Sequence, residues 1–163
     1  MITVLIGISG SGKSTYANKL RQRICSTDRY VDMYAKAMDV SYEESFDQIQ
    51  LLGLFGELND MFYADIDDAI RLDEDFIIDR TNLTGGSRRH LIRKLKTISE
   101  KYNKPIIIKG VVFDYDKEKI LLQLKKREAE ENKRIPESVM EKQFVAFEPP
   151  SVEEGFDILE HLK

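Results

Sequence analysis

Two periods of apolar residues alternate along the chain, and their order predicts most of the architecture. Residues 2–6, Ile-Thr-Val-Leu-Ile, form a short β-rich run of the kind buried on both faces of a sheet. After a glycine-rich stretch, residues 16–23 read as a helix with Ala17 and Leu20 on one face, and residues 23–27 as a second short strand. A helix over 29–38 comes next. From Ser41 to Leu72, Phe46, Ile49, Leu52, Phe55, Leu58, Phe62, Ile66 and Ile70 recur at spacings of three and four. That predicts one long amphipathic helix or two with a break: Ser41 and Glu44 form a capping box at its start, and Gly53 and Gly56 mark where it could bend. Residues 76–79 are a short buried strand ending in an acid. Residues 87–102 form a helix with Leu91, Leu95, Ile98 and Tyr102 inward, and residues 105–113, the most β-rich stretch, predict a central strand. Helices over 117–131 and 137–147 and a last strand within 155–162 complete the pattern. This order of strands and helices predicts an α/β fold in three layers, a parallel sheet covered on both faces.

The glycine-rich stretch carries the first chemistry. Gly7-Ile-Ser-Gly-Ser-Gly12-Lys13-Ser14-Thr15 fits G-x-x-x-x-G-K-[ST] at every fixed position, with a strand before it and a helix after it. Glycines allow backbone N–H groups to close around α- and β-phosphates, and the helix N-terminus adds its positive dipole end. Ser9, Gly10, Ser11, Gly12, Lys13, Ser14 and Thr15 are therefore the candidate nucleotide-binding residues. Lys13 is expected to reach the β/γ-phosphates, and Ser14 to offer its hydroxyl to a Mg²⁺ ion that keeps most of its waters. The expected ligands are ATP and Mg²⁺.

Composition narrows the setting. The 163 residues, 42% hydrophobic and 33% charged, suffice for one well-buried core, so a single domain over 1–163 is expected. A net charge of −4 argues against a uniformly basic surface, so any nucleic-acid contact must come from a local patch. Charge is unevenly placed: residues 28–79 are acidic and residues 80–143 net basic, which would suit a polyanionic acceptor or simply a second patch for ATP. The lone Cys25 cannot form an internal disulfide and reads as packing. The sequence shows no basic-then-apolar leader and no membrane-length apolar run. A cytoplasmic protein with no membrane partner is expected.

Further candidates stand at the strand ends. Asp28 comes after the second strand, where open α/β sheets place their ligands, and it would equally serve as the N-cap of the next helix. Asp79 ends an apolar strand, where P-loop proteins place the carboxylate that orients Mg²⁺ or its water shell; a strand-end turn acid is the alternative. The acidic run Asp65, Asp67, Asp68, Asp73, Glu74 and Asp75 lacks a glycine-centred loop spacing and reads as a solvated helix end. Asp114-Tyr115-Asp116 resembles the aspartate pair of haloacid-dehalogenase phosphatases, yet Glu118 stands where that motif needs Thr or Val. It reads as a loop and helix cap. Phosphoryl transfer needs a further cation on the β/γ-phosphates, often on a mobile lid. Within the basic group Lys125, Lys126, Arg127, Lys133 and Arg134, the candidates are Arg127 and Arg134, seven residues apart and on one face if the helix continues. They would lie in a lid over about 125–136; interleaved Glu128, Glu130 and Glu131 also fit a solvated face. His90 and His161 have no ligand-spaced partners.

As an ordered set, Gly-x-Ser-Gly-Ser-Gly-Lys-Ser-Thr, Ser-Thr-Asp28, Ile-Ile-Asp79-x-Thr-Asn-Leu, Arg127 with Arg134 before Ile-Pro, and the terminal Glu-Gly-Phe-Asp resemble the polynucleotide 5′-kinase family of P-loop phosphotransferases, especially phage-type members. The resemblance spans nearly the whole chain. It implies a P-loop kinase fold with a helical lid, and the 5′-OH end of DNA or RNA as phosphate acceptor. By the same resemblance, Asp28 matches the general base that takes the acceptor's hydroxyl proton, and Arg127 and Arg134 match lid arginines on the ATP phosphates. Two positions differ from the family's pattern. Val31 stands where members commonly carry an arginine for an acceptor phosphate, and Arg80 where a phage-type relative has Asp. Arg29, Arg80 and the Arg88-Arg89 pair are the cations that could substitute. A kinase of a nucleoside, modified base or other small hydroxyl compound is the alternative, and an ATPase or nucleotide-binding scaffold without acceptor is the third.

Overall fold

The computed structural model describes residues 1–114, 116–131 and 134–162. Tyr115 and Lys133 of the sequence patterns lie outside the described residues. In chain order the elements are β1 (Ile2–Ile6), α1 (Lys13–Lys19), β2 (Arg23–Cys25), α2 (Thr27–Met38), α3 (Tyr42–Leu51), α4 (Phe55–Arg71), β3 (Phe76–Ile78), α5 (Gly85–Tyr102), β4 (Ile108–Phe113), α6 (Lys117–Glu131), α7 (Glu137–Ala146), a 3₁₀ turn at Val152–Glu154, and β5 (Ile158–Leu162).

All five strands run parallel in the order β2-β3-β1-β4-β5. Their pleat sorts apolar residues between two faces. Ile2, Val4 and Ile6 of β1 join Phe76, Ile78, Ile108 and Val112 in a core with Phe62, Ile66 and Ile70 of α4 and Leu91, Ile92 and Leu95 of α5. The intervening Leu5, Ile77 and Val111 pack on the other face with Ala17 of α1. Burial on both faces explains why these strands are apolar runs with little polar alternation. A third cluster, Ile8, Leu83, Ile120 and Met140, fastens α6 and α7 over the C-terminal edge of the sheet.

The structure revises several sequence expectations. The first helix starts inside the glycine-rich motif at Lys13 and ends at Lys19; Arg21 then turns with φ 51°, and Leu20, expected on the inner face, is exposed. β2 is shorter than expected, because Ser26 already caps α2, which puts Asp28 in the first helical turn and removes the N-cap role. The 41–72 stretch is two helices separated at Gly53, whose φ of 69° no β-branched residue would tolerate, and the Ser41–Glu44 capping box is formed in both directions. The strand expected over 105–113 is interior, paired with β1 on one side and β5 on the other, but it begins only at Ile108. Helix α6 is described over Lys117–Glu131 and Arg134 is not helical, so the helical one-face argument for the arginine pair does not apply. The acidic run is paired as well as solvated. Arg23 bridges Asp65, Asp68 and Glu74, and Lys101 and Tyr102 both donate to Asp67.

Arg88 is the largest fully buried side chain, and a charge there needs complete pairing. Its Nε and Nη2 donate to the two carboxylate oxygens of Glu154 at 2.6 and 2.8 Å, and Nη1 donates to the carbonyls of Asn82 and Leu83 at 3.0 and 2.9 Å. Asn82 has φ 47° and donates through Nδ2 to the Leu5 carbonyl at 2.8 Å. The segment after β3 is thereby tied to β1, α5 and the 3₁₀ turn. We expect Arg88→Ala to lower unfolding free energy by about 3–5 kcal/mol in urea titrations, because Glu154 is left buried without its partner. Arg88→Lys should restore little, since an ammonium cannot serve two carboxylate oxygens and two carbonyls from one plane.

Candidate active site

The loop after β1 is held open by contacts on three sides. Gly10 and Gly12 have φ of 84° and 95°, in the left-handed region that favours glycine. A Cβ on Gly10 would come 3.1 Å from Leu124 of α6, so this helix lies directly on the loop. The N–H of Ser9 donates to Oε1 of Gln143 in α7 at 2.8 Å, and the N–H of Gly7 to the carbonyl of Thr81 at 3.0 Å.

Lys13 opens α1 and is only 7% exposed, its Nζ donating to the Ile8 carbonyl at 2.8 Å. Burial pushes its pKa down to about 8; Asp79 and then Asp28 oppose that, and Arg127 adds to it. The adjacent Ser14 donates from Oγ to Oδ2 of Asp79 at 2.8 Å. A hydroxyl beside a carboxylate at the loop is the hard-oxygen set that Mg²⁺ takes when phosphates and water complete its shell, so the residues fit such an ion. Ser11 Oγ is buried and has no hydrogen-bond partner among the described residues.

Asp28 and the basic segment close the site. Oδ1 of Asp28 accepts from Tyr42 Oη at 3.2 Å, and the Tyr42 hydroxyl is held well above its usual pKa by burial and by the Asp28 charge. Arg127 donates from Nε to Glu131 at 2.9 Å, and Arg134 lies 3.8 Å from Glu128. A cleft of about 1250 Å³ is lined by residues 9–15 together with Asp28, Tyr42, Asp79, Arg127, Arg134 and Gln143. It brings together every site residue expected from the sequence. Tyr42 and Gln143 were not foreseen: nothing local in sequence distinguishes a tyrosine or glutamine that reaches across the fold. Asn82 had a signal, since asparagine after a strand is a common left-handed turn residue.

A profile of the AAA domain family matches residues 2–150. The chain belongs to that family. Membership implies a bound nucleotide, in keeping with the loop geometry. No curated protein matches the chain. Among solved structures, it is similar to a candidate kinase from Chloroflexus aurantiacus, with 14% identity, TM-score 0.70, and coverage of 99% of this chain and 83% of the other. It is also similar to Chaetomium thermophilum Kti12 in complex with ADP-AlF3, with 17% identity, TM-score 0.61, and coverage of 99% and 88%. A fungal RNA kinase gives 19% identity, TM-score 0.58, and coverage of 99% and 74%. At these identities the likeness establishes the fold, a P-loop kinase fold. Among the described residues, no helix is long and apolar enough to cross a membrane.

The depressed pKa of Lys13 has a thermodynamic consequence. A triphosphate beside the ammonium favours its charged form, so the pKa must rise on binding. Binding then takes up protons near and above pH 8, and affinity falls by up to about tenfold per pH unit above that point. Calorimetry of ATP binding in two buffers of different ionisation enthalpy should register this uptake, and Lys13→Arg, whose side chain stays charged, should abolish it.

Proposed function

We propose that this chain is an ATP- and Mg²⁺-dependent kinase that transfers the γ-phosphoryl group to a hydroxyl, with the 5′-OH end of DNA or RNA as acceptor. The observation that carries this reading is the placement of Lys13 and Asp28 in one cleft, close enough that the Asp28 charge acts on the ammonium. One group suits a triphosphate and the other a hydroxyl proton. Residues 1–163 work as a single unit, in the cytoplasm, with residues 125–136 as the lid.

In this mechanism the backbone of residues 9–15 and Lys13 hold the triphosphate, and Ser14 with Asp79 would hold Mg²⁺. When bound, the ion would neutralise charge on the β- and γ-oxygens. Asp28 accepts the proton of the acceptor hydroxyl as its oxygen bonds to the γ-phosphorus. The bond from that phosphorus to the β–γ bridging oxygen breaks, and ADP leaves with that oxygen. Tyr42 fixes the Asp28 carboxylate through its hydroxyl. Arg127 and Arg134, held by exposed glutamates in the free protein, exchange them for phosphate oxygens, where charge-assisted hydrogen bonds are stronger. The likeness to an RNA kinase over nearly the whole chain supports the nucleic-acid acceptor. The second reading, a small uncharged hydroxyl compound, is favoured by one observation: Glu43 and Asp47 line the same cleft as Asp28 and would repel a polyanion.

Incubation with γ-labelled ATP and a panel of 5′-OH oligonucleotides, nucleosides and sugars tests the reading. Label is expected on the oligonucleotide terminus, with turnover reduced by about 10² to 10³ or more in Lys13→Ala. Label on sugars or nucleosides alone would select the second reading, and ATP hydrolysis with no labelled acceptor would remove the kinase assignment. Arg127→Ala and Arg134→Ala should each lower kcat more than they raise KM for ATP, because the γ-phosphoryl carries its largest demand on these cations in the transition state. Equal losses in Lys125→Ala and Lys126→Ala would reduce the lid to a nonspecific basic face.

A further inference from the structure

Attraction for a triphosphate is amply supplied in the main cleft, which Lys13, Lys19, Arg80, Lys126, Arg127 and Arg134 all line. Orientation is a separate requirement. The γ-phosphoryl must be held in line with the attacking oxygen, and donors that are already fixed do this without rearranging. One neutral side chain of the cleft has that form.

Gln143 sits on α7, where residues three apart share a face. Met140 packs with Ile8 in the cluster beneath the loop, and Gln143, three residues on, meets the next residue of that loop: its Oε1 accepts the Ser9 N–H at 2.8 Å. The start of the helix is pinned as well, since the Pro136 carbonyl accepts the N–H groups of both Val139 and Met140. The amide has only one possible orientation. A backbone N–H can only donate, so the oxygen faces Ser9 and the NH₂ group is left over. Among the described residues Nε2 has no hydrogen-bond partner, and the side chain is half-buried in the wall of the cleft.

The Ser9 N–H belongs to the same peptide unit as the Ile8 carbonyl, and that carbonyl accepts from Lys13 Nζ at 2.8 Å. The unit is trans, so its C=O and N–H point to opposite sides. Lys13 and Gln143 therefore flank one peptide, an ammonium on one side and an amide on the other. A lysine in this position serves the β/γ-phosphates, so the end of a triphosphate held by Lys13 comes between the two. A glutamine that only tied α7 to the loop would leave both N–H donors idle, and Met140 on Ile8 already makes that tie.

We propose that Gln143 is a catalytic residue: with its oxygen held by the Ser9 N–H, its amide NH₂ donates to an oxygen of the γ-phosphoryl group on the flank opposite Lys13, and so distinguishes a bound triphosphate from the diphosphate product. The amide gives up no proton. It orients the γ-phosphorus while the acceptor oxygen bonds to it and the bridging oxygen leaves with ADP. The effect on transfer rests on the kinase reading; the discrimination between triphosphate and diphosphate does not.

Gln143→Met, of similar length and without charge, removes the donor. In that variant the affinity for a non-hydrolysable ATP analogue is expected to fall about 10- to 100-fold with ADP affinity within about twofold, and kcat to fall by about 10² to 10³. Gln143→Glu keeps an oxygen for the Ser9 N–H and loses the donor, so it should show the same selective loss. A second measurement uses the wild-type protein and needs no turnover. The side-chain NH₂ resonances of Gln143 should shift when the ATP analogue is added and stay in place when ADP is added. Selective loss of analogue affinity and the analogue-specific shift, with no transfer to any acceptor, would sustain the γ-phosphate contact and sink the kinase reading. Transfer at an undiminished rate in Gln143→Met would sustain the kinase reading and overturn the proposal. Equal loss of ADP and analogue affinity in Gln143→Met, or full activity in Gln143→Glu, would also overturn it, reducing Gln143 to a strut between α7 and the loop.

Discussion

A buried ammonium group is unfavourable unless something compensates it, and the arrangement around Lys13 reflects that constraint. In the free protein the group leans on one backbone carbonyl and on the fields of two carboxylates, Asp79 and Asp28, and its pKa falls to about 8. The site is thus poised for an anion: charge that is costly without a ligand becomes favourable with a triphosphate in place. Holding such a group open requires rigid surroundings. The loop cannot collapse onto Lys13 because α6 packs against Gly10 and α7 receives the Ser9 N–H. The parallel sheet supplies the rest, since β1, β2 and β3 all end at the same edge and deliver the loop, Asp28 and Asp79 to one place.

The arginines divide by the partners they keep. Arg88 and Arg23 are saturated by carboxylates and serve the fold. Arg127 and Arg134 hold exposed glutamates of their own segment, contacts weak enough to be replaced by phosphate oxygens. Arg80 lies over an aromatic face and, among the described residues, has no carboxylate partner. That gradation separates structural cations from those able to meet a ligand, and burial, more than sequence position, is what sorts them.

The fold was largely legible in the sequence because its strands are buried on both faces and its helices are strongly periodic. The nucleotide loop was legible because a single local motif fixes its geometry. Element ends were less so: α1 begins inside the motif, and β2 stops short because Ser26 takes the cap that Asp28 could have filled. Contacts made by distant residues left no local trace. Tyr42 reaches Asp28 from α3, Gln143 reaches the loop from α7, and Glu154 finds Arg88 across 66 residues. The Arg88-Arg89 pair shows the same gap in reverse. In sequence it reads as a pair of cations that could meet an acceptor phosphate, and only packing reveals that Arg88 is part of the core.

The proposed reaction divides the labour in the cleft, with Lys13 serving the donor and Asp28 the acceptor. Pre-steady-state measurement on Asp28→Asn, with ATP affinity determined on the same preparation, tests it directly. A transfer rate lower by about 10² to 10⁴ with ATP affinity nearly unchanged is expected, because only the proton acceptor is removed. Lost ATP affinity with an intact transfer rate would contradict this division and assign Asp28 to the nucleotide or its metal.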